Sequence, residues 1–173
     1  MRVSLLQHPR SRSAAIQAIE VVFTRNRAGF EARYRLVGAP ADVKRPVPQT
    51  SKRADDLWRT TCFETFLATG GGGYYELNFS PSTEWAAYRF DGYRAGRRPS
   101  DELGVPAIET HEGGDWYELV ASFITPPDAT RLGLSAIVED RDGTRAYWAL
   151  AHPEGQPDFH DAASFALDLS ELR

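Results

Sequence analysis

The chain has a single cysteine and a single methionine, and the methionine is Met1. A lone Cys62 has no internal disulfide partner, which fits a reducing compartment. With no internal methionine, haem held by Met and His has no ligand pair to use. No apolar run approaches the roughly 18 residues of a membrane-spanning helix. The opening stretch, Met1 to Pro9, is too short and too soon broken for a signal-peptide core. With Met1 as the native start, a cytoplasmic protein with no membrane segment is expected. A net charge of −4 supplies no basic surplus, so nucleic acid is not an expected partner. Fourteen glycines and eleven prolines in 173 residues are too few for a low-complexity chain. The hydrophobic share of 42%, with 12% aromatics, is too high for disorder.

Several chemical signatures are also missing. The glycine run at Gly70-Gly71-Gly72-Gly73 has no following Lys-Ser or Lys-Thr and opens no helix, so it is not a phosphate-cradling loop. There is no Gly-x-Ser-x-Gly elbow. Helical periodicity is scarce, and only Ser13 to Ala18 suggests a helical turn.

What remains is alternation with a period of two. Ile19 to Arg25 is β-branched and aromatic and ends at Asn26-Arg27-Ala28-Gly29. Phe30, Ala32, Tyr34 and Leu36 then alternate with Glu31, Arg33 and Arg35, as in a hairpin with one solvated face. Leu57 to Thr69 and Tyr74 to Ser80 flank the four glycines and form the clearest hairpin. The glycines accept any turn geometry, and for that reason leave the register open. Trp85 to Asp91 reads as a strand. Ile108 to Glu112 and Trp116 to Ile124 flank Gly113-Gly114. Leu132 to Asp140 and Thr144 to Leu150 flank Asp142-Gly143, a strong hairpin signal. Ala163 to Leu169 reads as a last strand. The segments from Gly38 to Asp56 and from Gly92 to Pro106 read as loops. About nine short strands spaced by turn signals predict an all-β, antiparallel β-sandwich, with residues 1–173 as one domain. An open barrel is the competing architecture.

Chemistry-bearing residues fall into three stretches. Glu64 and Glu76 lie on adjacent strands of the glycine hairpin. Two carboxyls about 5 Å apart suit a retaining glycosidase, and about 6.5–9.5 Å an inverting one. Two charged residues on a solvated sheet face would look the same in sequence. His152, Asp158 and His160 form a two-histidine, one-carboxylate set, although the spacing fits no established zinc pattern. The alternative is a turn in which these side chains bond backbone groups. Cys62 lies mid-strand and reads as a buried, inert thiol. Trp58, Trp85, Tyr93 and Trp148 sit beside polar residues. A sugar ring offers a flat apolar face and an edge of hydroxyls, so its site combines aromatic platforms with polar hydrogen-bonders. Arg59, Arg89 and Arg94 suit an anionic ligand such as a nucleotide sugar. They also suit plain ion pairing with Asp55, Asp56, Asp91 and Glu84.

The same stretches carry a resemblance. Leu57-Trp58-Arg59-Thr60-Thr61-Cys62-Phe63-Glu64-Thr65-Phe66, Tyr75-Glu76-Leu77-Asn78-Phe79-Ser80-Pro81-Ser82 and Trp85-Ala86-Ala87-Tyr88-Arg89-Phe90-Asp91-Gly92-Tyr93-Arg94 resemble the bacterial DOMON-like proteins. Tyr147-Trp148-Ala149-Leu150-Ala151-His152-Pro153 and Pro157-Asp158-Phe159-His160 look like that family's closing motif. The order Trp, Phe-Glu-x-Phe, Tyr-x-Glu-x-Asn-x-Ser-Pro is similar, more distantly, to family 9 carbohydrate-binding modules. The resemblance covers most of the chain from about Arg53 onward. It implies a jelly-roll-like sandwich and a ligand-binding, non-catalytic role, with sugars and haem as the superfamily's ligands. The modules hold a sugar between two tryptophans, and Trp58 with Trp85 is the candidate pair. The expected ligand set is Trp58, Arg59, Glu64, Glu76, Asn78, Trp85, Tyr88, Arg94, Trp148, His152, Asp158 and His160, around a carbohydrate or sugar-containing metabolite. The readings set against it are a glycoside-active enzyme using Glu64 and Glu76, a metal protein using His152, Asp158 and His160, and an interaction module whose aromatics face a protein partner.

Overall fold

The computed structural model describes residues 1–25 and 29–171. It contains β1 (Arg2–Gln7), β2 (Ile16–Arg25), β3 (Phe30–Gly38), β4 (Cys62–Thr69), β5 (Tyr74–Phe79), β6 (Trp85–Phe90) and β7 (Arg98–Pro99). Then follow β8 (Ala107–Glu112), β9 (Trp116–Phe123), β10 (Ala129–Glu139), β11 (Arg145–Ala149) and β12 (Leu167–Asp168). Short 3-10 turns lie at Pro40–Asp42, Leu57–Arg59, Ala162–Ser164 and Leu169–Glu171. Among the described residues no helix is long and apolar enough to cross a membrane.

All strand pairs are antiparallel, in the order β7-β6-β5-β4-β10-β11-β1-β2-β3-β9-β8, with β12 beside β10. The sheet folds over at β1. Residues 2–5 of β1 pair with β2, while Leu6 and Gln7 pair with β11. The two halves face each other as an antiparallel, jelly-roll-like β-sandwich.

Alternation decides what lies between them. Ile19, Val21 and Phe23 of β2, Phe30, Ala32, Tyr34 and Leu36 of β3, and Tyr117, Leu119, Ala121 and Phe123 of β9 point inward from one half. Phe63 and Leu67 of β4, Tyr75, Leu77 and Phe79 of β5, and Leu132, Leu134, Ala136 and Val138 of β10 meet them from the other. Each such side chain, fully buried, contributes about 1.5–3 kcal/mol. The opposite face of the β4–β5–β6–β10–β11 half carries a second, smaller cluster that includes Cys62, Phe66, Tyr74, Tyr88, Phe90 and Ile137. Leu57, Phe159 and Phe165 cover it from the flanking segments. A sheet covered on both faces loses the polar alternation of a solvated face.

Several sequence expectations change here. β1 was not anticipated. Ser13 to Ala18 is not a helical turn: the chain bends and enters β2 at Ile16. The bend is held by Asp140, which accepts from Ser13 Oγ (2.7 Å), Ala14 N (2.7 Å) and Ala15 N (3.4 Å). The stretch 57–69 begins with a 3-10 turn and becomes a strand only at Cys62. The stretch 163–169 keeps only the two residues of β12, because Asp161 caps a 3-10 turn through Ala163 N. The expected turn at Asn26-Arg27-Ala28 lies outside the described residues.

Candidate functional site

The register that the four glycines left open is Glu64 opposite Asn78 and Phe66 opposite Glu76. Glu64, Glu76 and Asn78 therefore share one face, the one turned away from the main core. On β10 the residue opposite Glu64 is Ser135, and Ile137 follows on the same face. Tyr88 of β6 stands opposite Glu76, and Tyr147 of β11 stands opposite Ile137.

Over this face lies a cleft of about 410 Å³. Glu64 and Glu76 form its floor, and Tyr88, Phe90, Ile137, Tyr147 and Phe159 are its walls. Trp58, Arg94, Arg97, Pro157 and His160 complete the lining. Asn78 donates its side-chain N–H to Glu76 Oε1 at 2.8 Å, and Ser135 Oγ donates to Glu64 Oε2 at 3.1 Å. Cys62 Sγ lies 3.6 Å from Asn78 Oδ1.

Burial pushes the Glu64 carboxyl well above the ordinary carboxylate range, and the charge of Glu76 adds to the effect. Burial raises Glu76 too, against the Asn78 hydrogen bond and the fields of Arg97 and Arg94. Two carboxyls in one dry pocket resist ionising together. Burial likewise raises the Cys62 thiol, so it is protonated and inert, in line with the sequence reading.

His160 packs edge-on against Phe66, Phe90 and Tyr74, with ring centroids 5.2–5.8 Å apart. Burial first, then the field of Arg94, lowers its pKa to about 4. It is therefore neutral at pH 7, and its 3.9 Å approach to Glu76 is not an ion pair. The Arg94 backbone N–H donates to the Tyr74 hydroxyl at 3.1 Å. Tyr74 Oη and His160 Nδ1 share a hydrogen bond at 2.8 Å, which leaves Nε2 as the ring nitrogen on the Glu76 side, 3.9 Å from Oε2.

Asp158 does not line the cleft but fixes its rim. It accepts from Arg94 (2.8 Å), the Tyr93 hydroxyl (2.5 Å) and the His160 backbone N–H (3.0 Å). Arg97 lies over the Tyr88 ring, 3.9 Å from its centroid, and 3.8 Å from Asp55. The Tyr88 hydroxyl donates to Asp55.

Six residues of the expected set line the cleft: Trp58, Glu64, Glu76, Tyr88, Arg94 and His160. Asn78 and Asp158 support it. Four do not reach it. Trp85 and Trp148 point into the main core, 5% and 4% exposed, because their strand positions have the opposite parity to Tyr88 and Tyr147. The expected Trp58–Trp85 sandwich is therefore not formed. Arg53 covers Trp85 instead, 4.6 Å from its ring. His152 lies in a separate hollow against His8, with ring centroids 4.8 Å apart and its Nε2 2.8 Å from Leu6 O. Arg59 pairs with Asp56 at 3.2 Å, outside the cleft. The set His152, Asp158 and His160 is thus split. Among the described residues no three His, Cys, Asp or Glu side chains form a group able to hold a metal ion.

Sequence reasoning missed Arg97, Tyr147, Phe159 and Phe90. The parity of Tyr147 to Trp148 was available in the sequence, whereas the folding of 157–160 over the sheet was not.

Fold and site together define an antiparallel β-sandwich with a polar, aromatic-walled cleft on the outer face of one sheet. A solved structure with this fold is "a putative carbohydrate-binding protein" from Bacteroides uniformis, with a TM-score of 0.66 at 14% sequence identity. The match covers 95% of this chain and 84% of that one. At that identity the likeness is one of fold. No family model and no curated protein matches the chain.

Proposed function

We propose that the cleft binds a carbohydrate or a sugar-containing metabolite, without catalysis. The observation that carries this is the meeting of the half-exposed Trp58 ring with Glu64, Glu76 and His160 in one hollow. Trp58 offers a stacking face, and the floor offers hydrogen-bonding groups that accept and donate. Glu76 and the Nε2 edge of His160, 3.9 Å apart, present neighbouring polar groups to sugar hydroxyls. The fold likeness supports the reading, since that neighbour is described as binding carbohydrate. The resemblance of the cleft-forming stretches to DOMON-like proteins and, more distantly, to family 9 carbohydrate-binding modules points the same way.

Catalysis by Glu64 and Glu76 fits less well. A glycosidase needs one of its two carboxylates ionised and open to substrate, whereas both Glu64 and Glu76 are buried and burial raises the pKa of each. Calorimetric titration with a broad panel of mono- and disaccharides tests the proposal. Saturable binding that weakens in Trp58→Ala is expected. No heat at millimolar ligand across the panel would sink it. Hydrolysis of an aryl glycoside that disappears in Glu76→Gln would replace it with the enzyme reading.

A further inference from the structure

Two arginines stand at the mouth of the cleft, on the turn between β6 and β7. Gly92 bridges to Ala95 across this turn. Arg94 sits there at φ 52°, a left-handed backbone that a non-glycine residue rarely adopts. Its backbone N–H is tied to Tyr74, and its guanidinium to Asp158. Arg97 lies flat over Tyr88. The two side chains are 52% and 48% exposed, so each has one side in the cleft and one in solvent.

The carboxylates around them are already engaged. Asp158 accepts from Arg94, Tyr93 and the backbone of His160. Asp55 accepts from Tyr88 and reaches Arg97 only at 3.8 Å, at the edge of an ion pair. Much of the Arg97 charge is therefore open to the cleft. Both guanidinium groups line the cleft, whereas neither Asp55 nor Asp158 does, and the floor carboxyls Glu64 and Glu76 already take hydrogen bonds from Ser135 and Asn78. The cleft thus grades from hydroxyl-matching groups at its base to positive charge at its opening. An ammonium group entering it would meet both guanidinium groups. A neutral polyol could take hydrogen bonds from them but would leave their charge unmatched.

From this placement we infer that the sugar carries an anionic group, a carboxylate or a phosphate, which Arg94 and Arg97 hold at the cleft mouth while the hydroxyls reach Glu76 and His160. The inference rests on the carbohydrate reading and narrows it to acidic sugars. Guanidinium groups suit either anion, because both present oxygens in the geometry of the fork.

The test is calorimetric titration of the wild-type protein with matched sugars: glucose and galactose, their uronates, and their 6-phosphates. The charged member of at least one pair should bind about tenfold or more tightly than its neutral parent. That advantage should shrink as salt rises from about 50 mM to about 0.5 M. The uronate and phosphate arms distinguish which anion is preferred. Arg97→Gln should bring the charged sugar down to the affinity of its neutral parent. Arg2→Gln, which loses an exposed cation paired with Glu20 away from the cleft, should keep the preference. Neutral sugars binding as tightly as their charged counterparts would overturn the inference and leave the carbohydrate reading standing. No sugar of any charge binding would overturn both. The salt series needs no variant, so the inference stays testable if Arg97→Gln fails to fold.

Discussion

Trp58 and Trp85 carry the same side chain and flank the same hairpin, yet their substitutions should behave in opposite ways. Trp58 is 45% exposed at the cleft, whereas Trp85 is buried in the main core. Trp58→Ala should leave stability within about 0.5 kcal/mol of wild type, as surface changes do. It should weaken sugar binding about tenfold or more, since an aromatic anchor carries a large share of such a site. Trp85→Ala should cost about 3–5 kcal/mol of stability. Urea denaturation and calorimetry on the same two variants separate the outcomes. A Trp58→Ala variant that unfolds like Trp85→Ala would place that ring in the core. Glu64 gives a second test at this scale. Its pKa is raised in the folded state, so its contribution is complete below the unfolded value near 4.5 and is lost as pH rises through the folded value. His160 has the opposite sign: its pKa is depressed to about 4, so its contribution is complete above the ordinary 6.5. The His160 contribution is common to wild type and Glu64→Gln and cancels in their difference. Stability should therefore move in favour of Glu64→Gln as pH rises above about 4.5. The glutamine keeps an acceptor for Ser135 and has no charge to bury. Chemical denaturation at a series of pH values reads this directly, and parallel curves for the two proteins would refute it.

At the scale of elements, the glycine hairpin shows what sequence carries and what it withholds. Its existence was plain from the alternation on either side of Gly70 to Gly73. Its register was not, because no glycine has a side chain that penalises a slip. The register is set by long-range packing, with Phe63, Leu67, Tyr75, Leu77 and Phe79 seated against the other half of the sandwich. The four glycines are not equivalent. A Cβ on Gly71 would meet nothing within 4 Å, whereas one on Gly73 would lie 2.6 Å from the Phe90 carbonyl. Gly71→Ala should be neutral or stabilise by up to about 1 kcal/mol, by restricting the unfolded chain. Gly73→Ala should destabilise by about 1–3 kcal/mol, because a backbone carbonyl cannot swing aside as a side chain can. Urea midpoints of the two variants on either side of wild type are the expected result. The Ser13 to Ala18 stretch was misread for a related reason. What bends it is a carboxylate 125–127 residues away, Asp140, and no local pattern records that partner. β1 escaped notice because only its middle alternates, with Leu5 buried between exposed Ser4 and Leu6.

For the whole molecule, the sandwich class was legible because strand rhythm and turn residues are local signals. Part of the expected site was legible too, because Glu64, Glu76, Asn78 and Tyr88 stand out as polar groups on neighbouring strands, although their shared face emerged only with the register. The rest depended on which face of the β4–β5–β6 sheet the 157–160 segment covers, and that is a choice between two sides that period two alone does not make. The cover has a measurable consequence. Cys62 is fully buried on the covered face, two residues from Glu64 on the same strand and beside Asn78. A thiol reagent reaches it only when this side of the sheet opens, and burial keeps the thiolate scarce until then. If that opening also dismantles the cleft, a bound sugar must leave first. Ligand at about 100 times its dissociation constant then opposes the opening by about 2.7 kcal/mol and slows labelling about 100-fold. The rate of Cys62 modification with and without sugar measures this coupling. A rate that ignores saturating sugar would mean that the thiol is exposed by a motion that leaves the ligand in place, and that cleft and sheet face are not one cooperative unit.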